Sequence, residues 1–211
     1  DAPSAETGLT GQVEAHGAAG LIIGRRAGKV EGTPYRLGRT ARRLLRHLPV
    51  PVIVAPSDLE LADLGSGPVL CAVDLHDRSA HAAEMAARLA AYLDRPMRIM
   101  HTVVLPESLT YYRGDQRLRQ ELVDDLRRDA TLGLEEWCSE HGLSRFAREV
   151  TVGDPHGSVH DRFEALNSPL VVCGTRRLTL AERLFTSSLG TYLAATLPVP
   201  MLLVPPAGDG E

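Results

Sequence analysis

Apolar and polar positions alternate along residues 67–206 in a way that spells out strands separated by helices. Val69–Asp74 is a short β-branched run, and a run apolar at successive positions suits a strand buried on both faces. Ser79–Leu93 sets Ala82, Met85, Ala86, Leu89 and Leu93 on one helical stripe. Pro96 ends that unit, and Met97–Leu105 predicts a second strand. Gln116–His141 carries Leu118, Leu122, Leu126, Ala130 and Leu134 at every fourth position, and Gly142 is a natural helix stop. A third strand is expected at Glu149–Val152. Asp154 and Pro155 supply an N-cap and first-turn proline for a helix to Leu166. Leu170–Cys173, Ser188–Leu197 and Pro200–Val204 predict strand, helix and strand. Strands spaced by helices mean an α/β fold, an open five-stranded parallel sheet with helices on both faces.

Part of this pattern occurs twice. His47-Leu-Pro-Val-Pro-Val-Ile-Val-Ala-Pro56 matches Thr196-Leu-Pro-Val-Pro-Met-Leu-Leu-Val-Pro205, and Leu21-Ile-Ile-Gly-Arg-Arg26 resembles Val171-Val-Cys-Gly-Thr-Arg-Arg177. The offset of 149 to 151 residues is that of a duplicated domain, too long for a solenoid repeat. Residues 1–57 therefore read as the C-terminal half of a first domain and 67–206 as a complete second one. Residues 58–66 read as a polar linker and 207–211 as a tail. On this reading the first strand of the earlier copy falls about 80 residues before Asp1, and the natural protein is expected to approach 300 residues.

Composition narrows the function classes. Of 211 residues, 44% are hydrophobic and 24% charged, a globular balance. The net charge of −4 argues against general nucleic-acid binding. No apolar run reaches the ~18–20 residues of a membrane span. Cys71, Cys138 and Cys173 are scattered and show no zinc spacing, as expected of reduced core cysteines in a cytoplasmic protein.

In an open parallel sheet, ligands bind at the carboxyl ends of strands near the switch in strand order. Asp74 ends the first strand of the complete copy. Its carboxylate can accept hydrogen bonds from an adenine amino group or a ribose hydroxyl, or it can cap the next helix. Gly174 ends the fourth strand and opens a loop to Gly190. Ser187 and Ser188, where the next helix starts, can cap it or donate to a phosphate, and Arg176 and Arg177 add positive charge. His156 and His160 have the i, i+4 spacing of shared metal ligands but no evident third ligand, so solvated helix histidines are expected and no metal. His101, at the end of the second strand, is expected to be structural. No Gly-x-Ser-x-Gly elbow, Walker loop or Gly-x-Gly-x-x-Gly occurs, and no residue reads as a nucleophile backed by a base.

Taken together, several of these segments resemble the universal stress protein family, in a tandem two-domain form with a partial first domain. Val69-Leu-Cys-Ala-Val-Asp-Leu-His-Asp-Arg-Ser79 looks like the family's first strand, crevice aspartate and serine. Ile99-Met-His-Thr-Val103, Val152-Gly-Asp-Pro155 and Leu197-Pro-Val-Pro-Met-Leu-Leu-Val-Pro205 resemble later segments in order. The resemblance implies a Rossmann-like fold and a stress-response regulator, not an enzyme. It implies ATP or AMP bound by Asp74 and Thr102 on the adenosine side, with Gly174, Arg177, Ser187 and Ser188 on the phosphates. The family's nucleotide loop is Gly-x2-Gly-x9-Gly-Ser/Thr. Here Gly174 keeps the first glycine, Arg177 and Ser187 stand at the next two, and Ser188 keeps the hydroxyl. The first copy keeps Gly24, Gly28 and Gly38, with one extra residue between the first two and Arg39 at the hydroxyl position. The alternative within the family is a dimerisation and interaction module that binds no nucleotide. A related adenylyltransferase or electron-transfer flavoprotein is a third reading, but the His-x-Gly-His signature of the former is absent. The resemblance also implies pairing through the last strands, Val52–Val54 against Met201–Val204, within the chain or between two chains. A signalling partner is expected but not identifiable from the residues.

Overall fold

A computed structural model describes residues 4–25, 37–45, 50–106, 116–175 and 189–206. The central strand β3, Val69–Val73, is buried at all five positions, which explains its unbroken apolar run. β4 (Met97–Val103), β5 (Ala147–Val152), β6 (Val171–Gly174) and β7 (Met201–Val204) extend the sheet on either side. β4 and β6 both pair with β3 in parallel, β5 adds to β4, and β7 adds to β6. The chain thus runs outward through β4 and β5 on one side of β3, then returns to build β6 and β7 on the other. The switch point lies between β3 and β6.

Among the described residues these strands are covered by α3 (Asp77–Tyr92), α4 (Gln116–Glu140), α5 (Pro155–Leu166) and α6 (Leu189–Thr196). Strand residues alternate between two cores, as a period of two requires. Leu70, Ala72, Met100, Val171, Cys173 and Leu203 face Val159, Phe163, Leu193 and Ala194 of α5 and α6. Val69, Cys71, Ile99, Val172 and Leu202 face Ala83, Ala86, Leu134 and Trp137 of α3 and α4.

The sheet has seven strands rather than five, because residues 4–57 add to it. They form α1 (Ala5–His16), β1 (Leu21–Gly24), α2 (Arg39–Leu44) and β2 (Val52–Ala55). Their order and starting positions repeat those of α5, β6, α6 and β7 at an offset of 149 or 150 residues. Even the helix stops correspond: Gly17 after α1 has φ 56° and Asn167 after α5 has φ 49°, both left-handed. β1 pairs in parallel with β2, and β2 pairs antiparallel with β7. The central pair of that junction is Ile53 opposite Leu202, which are equivalent residues of the repeat. Equivalent residues facing one another mark a local two-fold axis. The connector contains a short 3₁₀ turn at Leu61–Asp63 and then lies against the end of α5. There, a Cβ on Gly67 would sit 1.8 Å from the Leu166 carbonyl oxygen.

Candidate functional site

Strand register brings Asp74, Thr102 and Gly174 together. Val73 pairs with His101, so Asp74 follows at the level of Thr102. Ala72 pairs with Cys173, so Val73 and Asp74 lie beside Gly174. These three residues sit at the carboxyl ends of β3, β4 and β6, where the switch in strand order opens a crevice.

The Asp74 carboxylate is held by its own turn. Its Oδ1 accepts the Ser79 hydroxyl and, at 3.2 Å, the backbone N–H of His76. Ser79 Oγ in turn accepts the Asp74 N–H at 3.4 Å. Between them Leu75 takes φ 60°, a left-handed conformation that reverses the chain before α3. Ser79 is 5% exposed, so the serine side of this clamp is buried while the Asp74 carboxylate stays half-buried at the rim. The cap of α3 falls on His76, whose side chain makes no capping bond. Asp74 shapes the turn two residues earlier, so the helix-cap reading of Asp74 is replaced by a turn-forming one.

Neighbouring groups fix the rest of the rim. Thr102 Oγ1 shares a 2.8 Å hydrogen bond with Thr151 Oγ1 across β4 and β5. His101 Nδ1 lies 2.9 Å from the Val73 carbonyl oxygen. A carbonyl only accepts, so Nδ1 carries the proton and the ring ties β4 to β3. Cys173 is fully buried on β6, and desolvation, reinforced by the Asp74 charge, pushes its thiol up to about 12. It stays protonated and offers no nucleophile.

Helix N-termini converge on the same end of the sheet. α3 follows β3, and α5 follows β5 with Asp154 as its cap, its carboxylate accepting from the Gly157 N–H at 2.8 Å. That bond, with help from His156, holds Asp154 below the usual carboxylate range. N-terminal helix dipoles favour an anion at this end. Arg177, Ser187 and Ser188, which follow Gly174 in the sequence, lie outside the described residues, as does Gly28 of the first copy.

In the first copy, Gly24 ends β1 and Gly38 caps α2. The Gly38 N–H donates to the Arg25 carbonyl at 3.1 Å, which ties the start of α2 to the end of β1. Arg25, 5% exposed, sends its guanidinium 2.5 Å from the Leu197 carbonyl oxygen of the second copy. A cavity of about 290 Å³ beside it is lined by Pro56, Asp58, Asp63 and Asn167. Because β2 runs antiparallel to β7, the carboxyl ends of β1 and β2 lie at the opposite end of the strands from Asp74.

The two histidines of α5 have local partners. His156 Nδ1 lies 3.2 Å from Asp154, and His160 Nδ1 lies 3.7 Å from Glu164. Among the described residues, no group of three or more His, Cys, Asp or Glu side chains is arranged to hold a metal ion. A half-buried network that residue spacing did not announce lies at β5. Glu149 accepts two hydrogen bonds from Arg162 of α5, and its second oxygen lies 3.7 Å from Arg98 of β4. The Glu149 hydrogen bond raises the Arg162 pKa further.

The family model for the universal stress protein family matches residues 66–205. A Pseudomonas aeruginosa structure described as a universal stress protein superposes with TM-score 0.73 at 18% identity, over 97% of this chain and 69% of that one. A universal stress protein from Archaeoglobus fulgidus superposes with TM-score 0.60 at 19% identity, over 96% of this chain and 66% of that one. At these identities the structures show a shared fold. No curated protein matches the chain.

Proposed function

Since the chain belongs to the universal stress protein family, we propose that this stress-response protein works as a regulator that binds ATP or AMP in the crevice of residues 67–206. The observation that carries the reading is the meeting of Asp74, Thr102 and Gly174 at the strand-order switch. The Asp74 carboxylate, oriented by Ser79 and the His76 N–H, is set to accept from the adenine amino group or a ribose hydroxyl. Thr102 adds a hydroxyl at the rim. Gly174 allows close backbone approach, and the loop of Arg177, Ser187 and Ser188 would meet the phosphates. In keeping with the family's reading as a regulator, the nucleotide is proposed as a ligand rather than a substrate. The protein would act in the cytoplasm.

Titration calorimetry with ATP and with AMP tests this. Binding is expected, weakened about tenfold by Asp74→Ala through loss of a charge-assisted hydrogen bond. No heat at millimolar nucleotide, with circular dichroism unchanged, would overturn it. The second reading is a nucleotide-free interaction module. It is favoured by Arg177 and Ser187 standing where the family loop has glycine. An Arg177→Gly, Ser187→Gly variant that gains ATP affinity over an inert parent would support this second reading.

A further inference from the structure

A cleft of about 390 Å³ opens at the amino ends of β4 and β5, the opposite end of the strands from Asp74. Ala87, Ala90 and Ala91 of α3, with Met97 and Phe146, give it an apolar floor. Arg95 and Arg145 line it as well. The Arg145 guanidinium lies over the Phe146 ring, 4.7 Å from its centroid, and Arg95 donates to the Ser66 carbonyl oxygen at 2.6 Å. Among the described residues neither guanidinium is paired with a carboxylate. The cleft therefore sets two positive charges beside apolar surface, on a chain whose net charge is −4. Its complement is an apolar side chain flanked by carboxylates.

The same chain carries that complement. Asp129, Leu132, Glu136 and Glu140 share one stripe of α4, opposite the stripe of Leu134, Trp137 and Cys138 that is buried against the sheet. Leu132 is 60% exposed, and the three acids are exposed around it. None of these carboxylates is in an ion pair among the described residues. Glu136 and Glu140, one turn apart, repel each other, and the last turn of α4 holds no basic residue. Both stand toward the negative end of the helix dipole, where a carboxylate is unfavourable. A guanidinium supplied from outside would relieve them. We infer that a second copy of this chain docks here, with Leu132 of each copy in the cleft of the other and Glu136 and Glu140 against Arg95 and Arg145. Cleft and stripe lie on the same side of the sheet, the side covered by α3 and α4. A two-fold interface needs such a self-complementary surface. The contact is separate from the β2–β7 junction, which forms within one chain.

Sedimentation equilibrium of the whole chain, from micromolar to millimolar concentration, is the test. A reversible dimer is expected, weakened by added salt. Leu132→Asp and Arg145→Glu should each raise its Kd about tenfold or more, because every contact occurs twice across the two-fold axis. Exchanging all four charges, Arg95→Glu and Arg145→Glu together with Glu136→Arg and Glu140→Arg, should recover most of that loss. Circular dichroism should stay unchanged throughout, since these side chains are exposed. A chain that remains monomeric at millimolar concentration would overturn the inference. If polyglutamate then shifts the Phe146 ring resonances, the cleft belongs to a foreign acidic partner. A dimer that ignores both single variants overturns it too, by assigning association to another surface. So does a charge exchange that binds no tighter than Arg145→Glu alone.

Discussion

Asp154 shows how much one side chain can settle. It caps α5 through the Gly157 N–H and sits 3.2 Å from His156, so both partners favour its ionised form. With its pKa below the ordinary value in the folded chain, its contribution is complete above the unfolded value and is lost as pH falls through the lowered one. Asp154→Ala should therefore cost about 1 kcal/mol of unfolding free energy at neutral pH. The gap between variant and parent should close below about pH 4. Urea titrations at pH 7 and pH 3 read this directly, and an equal gap at both would sink it. Asp74 is a contrasting residue. Its strand-end position was legible from the sequence, but the Ser79 clamp and the left-handed Leu75 were not, since both depend on how the turn closes.

At the scale of elements, periodicity carried most of the fold because each segment between 67 and 206 is bounded by proline, glycine or a cap. The predicted helix from Asp154–Pro155 to Leu166 is α5 as observed, and Gln116–His141 differs from α4 by one residue. α3 starts at Asp77, two residues before Ser79, because the Asp74 turn delivers the chain to the helix earlier than its apolar stripe begins. The Arg98–Glu149–Arg162 network was not legible. Its members meet only once β4 and β5 pair with Met100 opposite Glu149 and α5 lands beside them. Close packing of α6 is equally a product of assembly. A Cβ on Gly190 would lie 2.6 Å from Leu203 Cδ2 and 3.1 Å from Cys173 Sγ. Overpacking of this kind costs ~1–3 kcal/mol, against a gain of up to ~1 kcal/mol in helix propensity. Gly190→Ala should thus lower the urea midpoint by a net ~1 kcal/mol of stability. A raised midpoint would mean that Leu203 yields freely.

For the whole molecule, the repeat located the two apolar strands, and the structure shows that they meet antiparallel with Ile53 opposite Leu202. Leu202 is 2% exposed, so a lysine at Ile53 would bring an ammonium group against a buried leucine at the centre of the junction. Ile53→Lys should accelerate amide exchange in β1 and β2 at least tenfold while β3 and β4 keep their protection. Uniform acceleration across all seven strands would show instead that the sheet opens as one unit. The segment joining the two halves, residues 58–66, has a further consequence. Two separate chains meeting through such strands would part on dilution. Here the connector turns that encounter into an intramolecular one, with an effective concentration on the order of millimolar. The junction between β2 and β7 is therefore insensitive to how much of the protein a cell makes, and its two sides, encoded separately, are free to diverge.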